Sequence, residues 1–247
     1  MKKVRMIATV LLIFTACGQP GVQPSANRSS PPVSPTPRMP PLEICVDAGD
    51  NATQVAFPSA VGETVYGASF GSGDVGVVLA HQYMSDLCEW VPEARRLRDQ
   101  GRRVLAFDFD TDLVNEVTGA AAELRREGST KIVLVGASMG GTASLVAATT
   151  ISPPVIAVAS LSGPGIYRTW VAYEAVKQLT IPVLFMDARD SKYFPEDAKT
   201  MYASCPSTHK QLVLLPGTDH GAELVTYQVA DQARAVLEKF IKDFAGA

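Results

Sequence analysis

The sequence predicts an α/β fold in which a mostly parallel sheet of about eight strands has helices on both faces. Short apolar runs alternate with amphipathic stretches from residue 42 to the C-terminus. Several runs are apolar throughout, such as VGVVLA, KIVLVG and PVLFM, and such runs are typical of parallel strands covered on both faces. A stretch rich in glycine and serine follows one of them, which indicates a tight turn.

Eight segments are predicted as strands from their apolar pattern and the turn residues between them. They are Gln54–Pro58, Thr64–Phe70, Gly76–Ala80, Arg103–Phe107, Lys131–Val135, Val155–Ser160, Pro182–Met186 and Lys210–Leu215. The short SAVGE connection predicts that the first two strands form an antiparallel hairpin at one edge of the sheet.

Three stretches have the spacing of amphipathic helices. They are EWVPEARRLRDQG, NEVTGAAAELRREG and YQVADQARAVLEKFIKDFA. Only about 20 residues separate the sixth predicted strand from the seventh, so this connection holds one helix at most and no large lid. Its aromatic residues Tyr167, Trp170 and Tyr173 either line the mouth of a pocket or pack that helix on the sheet.

The N-terminus has the pattern of an export signal. A cationic start precedes an apolar run from Met6 to Phe14, which is shorter than the roughly 20 residues of a membrane-spanning helix and fits a signal peptide. The FTAC that follows resembles the bacterial lipobox, in which the cysteine receives lipid after cleavage. We therefore expect residues 1–16 to be a signal peptide and Cys17 to be the lipidated N-terminus.

Residues 18–41 are rich in proline and serine and nearly free of large apolar side chains. Such a composition predicts an extended tether between Cys17 and a globular domain at 42–247. The protein is then expected outside the cytoplasm, held at the membrane by its lipid anchor alone, or secreted if the lipobox is not used. The formal charge of −3 gives no basic patch, so nucleic acid is not an expected partner.

Besides Cys17, three cysteines follow the signal peptide, namely Cys45, Cys88 and Cys205. In an oxidising compartment they predict one disulfide and one remaining thiol, and the sequence alone leaves all three pairings open. We favour Cys88 with Cys205, because both lie near the presumed active face. With three histidines and neither a CxxC nor an HExxH motif, no metal or other cofactor is expected.

The stretch VLVGASMGG places Ser138 between Gly136 and Gly140, directly after a predicted strand and before the helical GTASLVAATT. A strand, a sharp turn and a helix around GxSxG are the arrangement of a nucleophile elbow. The turn forces strained backbone angles on the serine, so the positions two before and two after it must be nearly free of side chains. The alternative is that Ser138 is only a small residue in a tight turn.

Several separated segments resemble the α/β-hydrolase family, and within it the compact dienelactone-hydrolase-like enzymes. They are VVLAHQYMSDLCEWVPEARRLRDQGRRVLAFDFD, VGASMGG, IPVLFMDARDS and LVLLPGTDHG. The resemblance implies an α/β-hydrolase fold and a triad of Ser138, Asp190 and His220, which occur in the chain order of this fold. Ser138 is then the nucleophile, His220 its base and Asp190 the partner that orients the imidazole.

Asp187 competes with Asp190 for the role of the triad acid. Asp187 directly follows the predicted segment that ends at Met186, at a position where the strand should still be running, whereas Asp190 lies in the loop beyond the carboxyl end of that strand, where ligands gather in open α/β sheets. Asp190 is therefore the preferred acid.

The same resemblance implies an oxyanion hole made of the backbone N–H groups of Met139 and Tyr83. The family's His-Gly pair is His81-Gln82 here, which leaves the Gln82 N–H as an alternative donor. His81 is expected to organise this loop rather than to act in catalysis. Asp108 lacks the neighbouring residues of the family's motif and is given no function.

These features predict a serine hydrolase that cleaves small or exposed carboxylic esters through an acyl-enzyme. The same triad also serves thioester, lactone or amide hydrolysis. A different class of function is a catalytically silent fold that binds ligands at the cell surface. All three triad positions hold the required residue types, which favours the enzyme.

The lipid anchor is tested by fractionating cells that express the native chain or a Cys17→Ser variant. We expect the native protein in the membrane fraction and the variant in the soluble fraction, because the variant cannot be acylated. Equal solubility of both exported proteins would contradict the anchor.

Overall fold

A computed structural model describes residues 45–246. The predicted signal peptide, Cys17 and the predicted tether lie outside the described residues. Within residues 45–246, no helix combines the length and the apolar composition that crossing a bilayer requires.

Eight strands form one sheet, in the spatial order β1-β2-β4-β3-β5-β6-β9-β10. Its strands are β1 (Thr53–Pro58), β2 (Thr64–Phe70), β3 (Val75–Ala80), β4 (Arg103–Phe107), β5 (Lys131–Ala137), β6 (Ala157–Leu161), β9 (Val183–Ala188) and β10 (Lys210–Leu215). The strands β4, β3, β5, β6, β9 and β10 run parallel, whereas β2 is antiparallel to both β1 and β4. The eight predicted strands and the antiparallel hairpin at the edge are confirmed.

Helices cover both faces of the sheet. They are α1 (Val91–Asp99), α2 (Leu113–Arg126), α3 (Met139–Ala147), α4 (Ala172–Ala175), α5 (Pro195–Ser204) and α6 (Ala230–Ala245). Because side chains alternate along a strand, Val133 and Val135 of β5 pack with α1 and α6. Ile132 and Leu134 pack with α2, α3 and α5 on the other face. The sheet therefore separates two apolar cores.

The connection between β6 and β9 contains no large lid. A two-stranded hairpin, β7 (Ile166–Tyr167) and β8 (Trp170–Val171), precedes the four-residue α4. The prediction that this connection holds one helix at most is confirmed, whereas the hairpin was not predicted. A short hairpin leaves the carboxyl edge of the sheet open on this side.

The carboxyl ends of the central strands meet at one edge of the sheet. Ala80 at the end of β3 pairs with Gly136 of β5, Ala137 pairs with Leu161 of β6, and Leu161 pairs in turn with Met186 of β9. The loops after β3, β5, β6 and β9 consequently emerge side by side. The loop after β10 joins them, because β10 is the parallel neighbour of β9.

The disulfide joins Cys45 to Cys88, with Cα atoms 5.6 Å apart, and the predicted pairing of Cys88 with Cys205 is wrong. Cys205 is a free thiol buried in the core beneath α5, whereas Cys88 packs against the core on the opposite face. The sheet thus separates these two cysteines. The segment before β1 folds onto α1, where Arg95 donates a hydrogen bond of 2.7 Å to the carboxylate of Asp50, and this brings Cys45 to Cys88.

Removing the disulfide should lower the free energy of unfolding by up to about 4 kcal/mol in the chain-entropy model, because the bond closes a loop of 43 residues. Urea unfolding of the Cys45→Ser/Cys88→Ser variant measures this loss. A Cys205→Ala variant serves as the control. Reductant should still lower the unfolding midpoint of this variant, whereas it should leave the midpoint of the double variant unchanged. An unfolding midpoint that reductant leaves unchanged in the native protein would contradict the assignment.

Candidate active site

Ser138 lies on the turn between β5 and α3, with the unusual backbone angles φ 48° and ψ −115°. A non-glycine residue in such a region costs about 1–3 kcal/mol and persists only where the surroundings impose it. Here the Ser138 N–H donates to the carbonyl of Leu161 over 2.8 Å, and α3 begins at the next residue. The neighbouring strand and the helix together hold the serine on this strained turn.

The two glycines around Ser138 are required by close contact. A Cβ added at Gly136 would overlap the backbone of Gly140, and one added at Gly140 would overlap the carbonyl groups of Ala80 and His81. The start of α3 therefore touches the ends of both β5 and β3. The strand, turn and helix predicted around GxSxG are present.

A cavity of about 490 Å³ opens beside Ser138. Its lining residues are Gln82, Tyr83, Ser138, Tyr193, Phe194, Thr218, His220 and Glu223. Two of the three predicted triad residues, Ser138 and His220, thus line the same cavity.

His220 lies in the loop after β10 and its half-buried ring contacts two aromatic side chains. The ring centroids of Tyr193 and Phe194 are 5.6 and 5.7 Å from that of the imidazole. Burial lowers the pKa of His220 below its usual 6.5, so the ring is neutral at pH 7 and can accept a proton. Its Nδ1 is buried and has no hydrogen-bond partner among the described residues.

Asp190 lies in the loop after β9, with an exposed carboxylate. Arg189 Nε donates to this carboxylate over 3.1 Å and the Gly217 N–H over 2.9 Å, and these bonds, in that order, lower the pKa of Asp190. The Asp190 N–H donates in return to the Gly217 carbonyl over 3.0 Å. The predicted acid is therefore attached to the segment that leads to His220, but within residues 45–246 no hydrogen bond joins it to the imidazole.

Asp187 is fully buried in β9, which continues to Ala188, two residues beyond the predicted end of the strand at Met186. One carboxylate oxygen accepts hydrogen bonds from the Ser162 hydroxyl over 2.8 Å and from the Ala188 N–H over 2.7 Å. The other oxygen has no partner in the described part of the chain. Burial raises the pKa of this carboxyl to about 6, against the hydrogen bonds that lower it. The two aspartates thus have opposite environments.

The loop after β3 presents the predicted oxyanion donors. The Gln82 N–H donates to the carboxylate of Glu89 over 2.8 Å, so it is not available to a substrate. No acceptor within residues 45–246 takes the N–H of Tyr83, and Met139 as the first residue of α3 has no intrahelical acceptor. Of the two residues considered from the sequence, Tyr83 is the one with a free N–H.

His81 connects the loops after β3 and β4. Its Nε2 accepts the Phe109 N–H over 3.0 Å, so the proton lies on Nδ1, which donates to the Gln82 carbonyl over 2.8 Å. Burial lowers the pKa of this histidine and favours its neutral form. His81 organises the loop, as expected, and does not line the cavity beside Ser138.

A second cavity, of about 200 Å³, lies next to Tyr83 and Met139. Tyr167 lines it, and Trp170 stacks on Tyr167 with parallel rings 6.2 Å apart. The Tyr173 hydroxyl instead donates to Asp197 over 2.7 Å. Of the three aromatic residues of this connection, Tyr167 lines a cavity, and all three pack against the core that α2, α3 and α5 cover.

Sequence reasoning missed four residues around the site: Glu89, Tyr193, Phe194 and Glu223. Glu89 lies within a stretch with helical spacing, where a carboxylate is expected on the solvent side. Tyr193 and Phe194 follow the predicted acid in SKYFPE, and two adjacent aromatic residues in a loop were the one available signal. Their role depends on how the loops after β9 and β10 meet, which local pattern does not encode.

Comparisons with known proteins agree with this architecture. Residues 31–220 match the model of the esterase family, described as "Putative esterase". An esterase of Pyrococcus furiosus superposes with a TM-score of 0.69 at 15% identity, covering 79% of this chain and 92% of that one. The esterase domain of a Rhodothermus marinus protein gives 0.65 at 20% identity, with 79% and 100% covered.

A dienelactone hydrolase of Anabaena variabilis has a TM-score of 0.61 at 21% identity and covers 78% of this chain and 98% of its own. A comparison with curated proteins finds no match. The structural neighbours share the eight-stranded, mostly parallel sheet with its helices, and the family match spans most of the chain. The chain therefore belongs to the esterase family and has the α/β-hydrolase fold.

Proposed function

We propose that the protein is a serine esterase that cleaves small or exposed carboxylic esters through an acyl-enzyme. The observation that carries this proposal is the shared cavity of Ser138 and His220, in which a strained turn presents the hydroxyl and burial keeps the imidazole neutral. The esterase family supports an ester as the substrate.

In the first half-reaction, His220 takes the proton of the Ser138 hydroxyl as its oxygen attacks the ester carbonyl carbon. The negative charge that develops on the carbonyl oxygen is stabilised by the N–H groups of Met139 and Tyr83. The bond to the alkoxy oxygen then breaks, and the leaving alcohol receives the proton from His220. In the second half-reaction, water attacks the acyl-enzyme by the same route and restores the free serine.

We assign Asp190 as the acid that orients His220. Its carboxylate is ionised, and its loop contacts the imidazole through Tyr193 and Phe194. The assignment requires that the Asp190 carboxylate exchanges its bond with Arg189 for a bond with His220 Nδ1. That nitrogen has no other partner in the described part of the chain. Asp187 is the second candidate, because one of its buried oxygens is equally unpartnered.

The shape of the site supports a small substrate. The cavity of about 490 Å³ combines aromatic walls from Tyr193 and Phe194 with the polar side chains of Thr218 and Glu223, and the connection before β9 adds only a short hairpin. Thioesters, lactones and amides are second candidates, since the same attack opens each of them. A panel of p-nitrophenyl esters of increasing length beside these compounds ranks them.

An extracytoplasmic, lipid-anchored location is part of the proposal, with Cys17 as the modified residue. The Cys45–Cys88 disulfide supports it, because structural disulfides form and persist in oxidising compartments. The expected partners are a small acyl substrate and, through the anchor, the membrane, with no nucleic acid.

Ser138→Ala should abolish labelling by a fluorophosphonate probe and lower kcat/KM by about 10⁴-fold or more, because no other group can form the acyl-enzyme. The control is Ser144→Ala, which removes a buried hydroxyl from α3 outside the cavity and should leave labelling intact. Turnover by a folded Ser138→Ala variant would contradict the serine mechanism. A native protein that neither labels nor hydrolyses would support the silent binding module.

Asp190→Asn should lower kcat by roughly 10⁴-fold, the loss that follows when the orienting acid of a triad selects the wrong imidazole tautomer. Asp187→Asn is the matched variant and should lose far less, since it removes a partly protonated carboxyl from the strand. Steady-state kinetics of both variants with one ester measure the difference. A larger loss in Asp187→Asn would move the acid to Asp187 and leave Ser138 and His220 in place.

A further inference from the structure

We propose that Glu89 is a positioning residue for the oxyanion hole. Glu89 holds Gln82 so that the N–H of Tyr83 points at the reacting carbonyl oxygen. Glu89 does not line the cavity beside Ser138 and would act through the backbone of the loop after β3. This inference rests on the proposed function and extends it to a residue that takes no part in the proton transfers.

Glu89 lies in the 3-10 turn Leu87–Trp90 that follows this loop. Its half-buried carboxylate accepts the Gln82 N–H over 2.8 Å and a hydrogen bond from the Ser85 side chain. The preceding residue, Cys88, is bonded to Cys45. The carboxylate is thus presented to the loop from a turn that a covalent bond fixes.

Gln82 is held at three points, of which Glu89 supplies one. Its carbonyl accepts the proton of His81 Nδ1 over 2.8 Å, and its side-chain oxygen accepts the Ala222 N–H over 3.3 Å. That oxygen also fills the space over Gly221, where an added Cβ would overlap it. The loop that carries the oxyanion donor is therefore joined to the loop that carries His220.

These bonds determine the direction of the Tyr83 N–H. The carbonyl of Gln82 and the N–H of Tyr83 belong to one planar trans peptide group, so they point in opposite directions. The His81 side chain fixes that peptide group by donating to the Gln82 carbonyl. Glu89 fixes the preceding peptide group, between residues 81 and 82, by accepting the Gln82 N–H. With both groups fixed, the two backbone angles of Gln82 are determined, and so is the direction of the donor.

The choice of a carboxylate at this position is unfavourable in electrostatic terms. The pKa of Glu89 is raised to about 7, first by burial and then by the nearby carboxylates of Asp86 and Glu223, while the hydrogen bonds from Ser85 and Gln82 oppose this rise. No Lys or Arg of the described residues forms an ion pair with it. A carboxylate kept in such surroundings gains most from a strong, charge-assisted bond to the Gln82 N–H.

The test is the steady-state hydrolysis of p-nitrophenyl acetate by Glu89→Gln and Glu89→Ala variants. At pH 8 we expect kcat to fall about 3- to 10-fold in the Gln variant, which keeps a neutral acceptor, and about 100-fold in the Ala variant, which keeps none, while KM changes by less than about 2-fold. Loss of a complete oxyanion donor costs about 10²- to 10³-fold, so a donor that is only misdirected should cost no more than the lower end of that range.

Glu93→Gln is the matched control. Glu93 is a fully buried carboxyl of α1, four residues further on, and its partners are Arg96 and Arg234 rather than the loop. The Glu93→Gln variant should keep kcat within about 2-fold of the native value even if its melting temperature falls. Melting curves of all variants separate a loss of stability from a loss of positioning.

The pH profile gives a readout that a purely structural role would not change. Ionised Glu89 is the competent form, so the native kcat should decline as the pH falls through about 7, before protonation of His220 at lower pH removes the base. In Glu89→Gln only the lower decline should remain. Unchanged kcat in both Glu89 variants, or an unshifted profile in the Gln variant, would overturn the inference, whereas turnover by Ser138→Ala would overturn the proposed function itself.

Discussion

The contact between three backbone segments is the constraint on which the rest of the site depends. The end of β5, the first turn of α3 and the carbonyl groups that end β3 approach so closely that only glycine fits at 136 and 140. This packing forces Ser138 into its positive φ and leaves the Met139 N–H without an intrahelical acceptor. Because the same contact includes the His81 carbonyl, it also sets where the loop after β3 begins.

The charges around the cavity are arranged unevenly. His220 is neutral for lack of solvent, and the carboxylates of Asp86 and Glu223 raise the pKa of Glu89. Asp190, in contrast, is ionised and exposed next to Arg189. In the proposed reaction, a carbonyl oxygen that becomes negative would therefore depend on backbone N–H groups, since within residues 45–246 no cation lines the cavity beside Ser138.

The fold could be predicted from the sequence because its determinants are local. The runs KIVLVG and PVLFM are apolar on both faces and are bounded by turn residues, so they identify central strands without knowledge of their neighbours. The turn at Ser138 was predicted from its glycines and the strand before it for the same reason, whereas His220 was predicted from the resemblance to the α/β-hydrolase family. The hairpin of β7 and β8 escaped prediction, because two-residue strands have no detectable period.

The failures concern contacts that depend on how separate segments fold against one another. The pairing of Cys45 with Cys88 depends on the bond between Asp50 and Arg95, and the exclusion of Cys205 depends on which face of the sheet α5 covers. Glu89 likewise acquires its partner only when the 3-10 turn folds back on Gln82. Each of these is decided by tertiary packing, and a pattern of residue types along one segment does not contain it.

The position of the disulfide has a mechanical consequence. β1 is an edge strand, paired on one side only, and edge strands of this kind are the first to be peeled away when a chain is pulled from its end. A force arriving along the chain from residues before 45 reaches Cys45 first and passes through the covalent bond into the turn that follows the loop after β3. The hairpin of β1 and β2 is thereby shielded from the load, and tension is delivered to the neighbourhood of Gln82 instead.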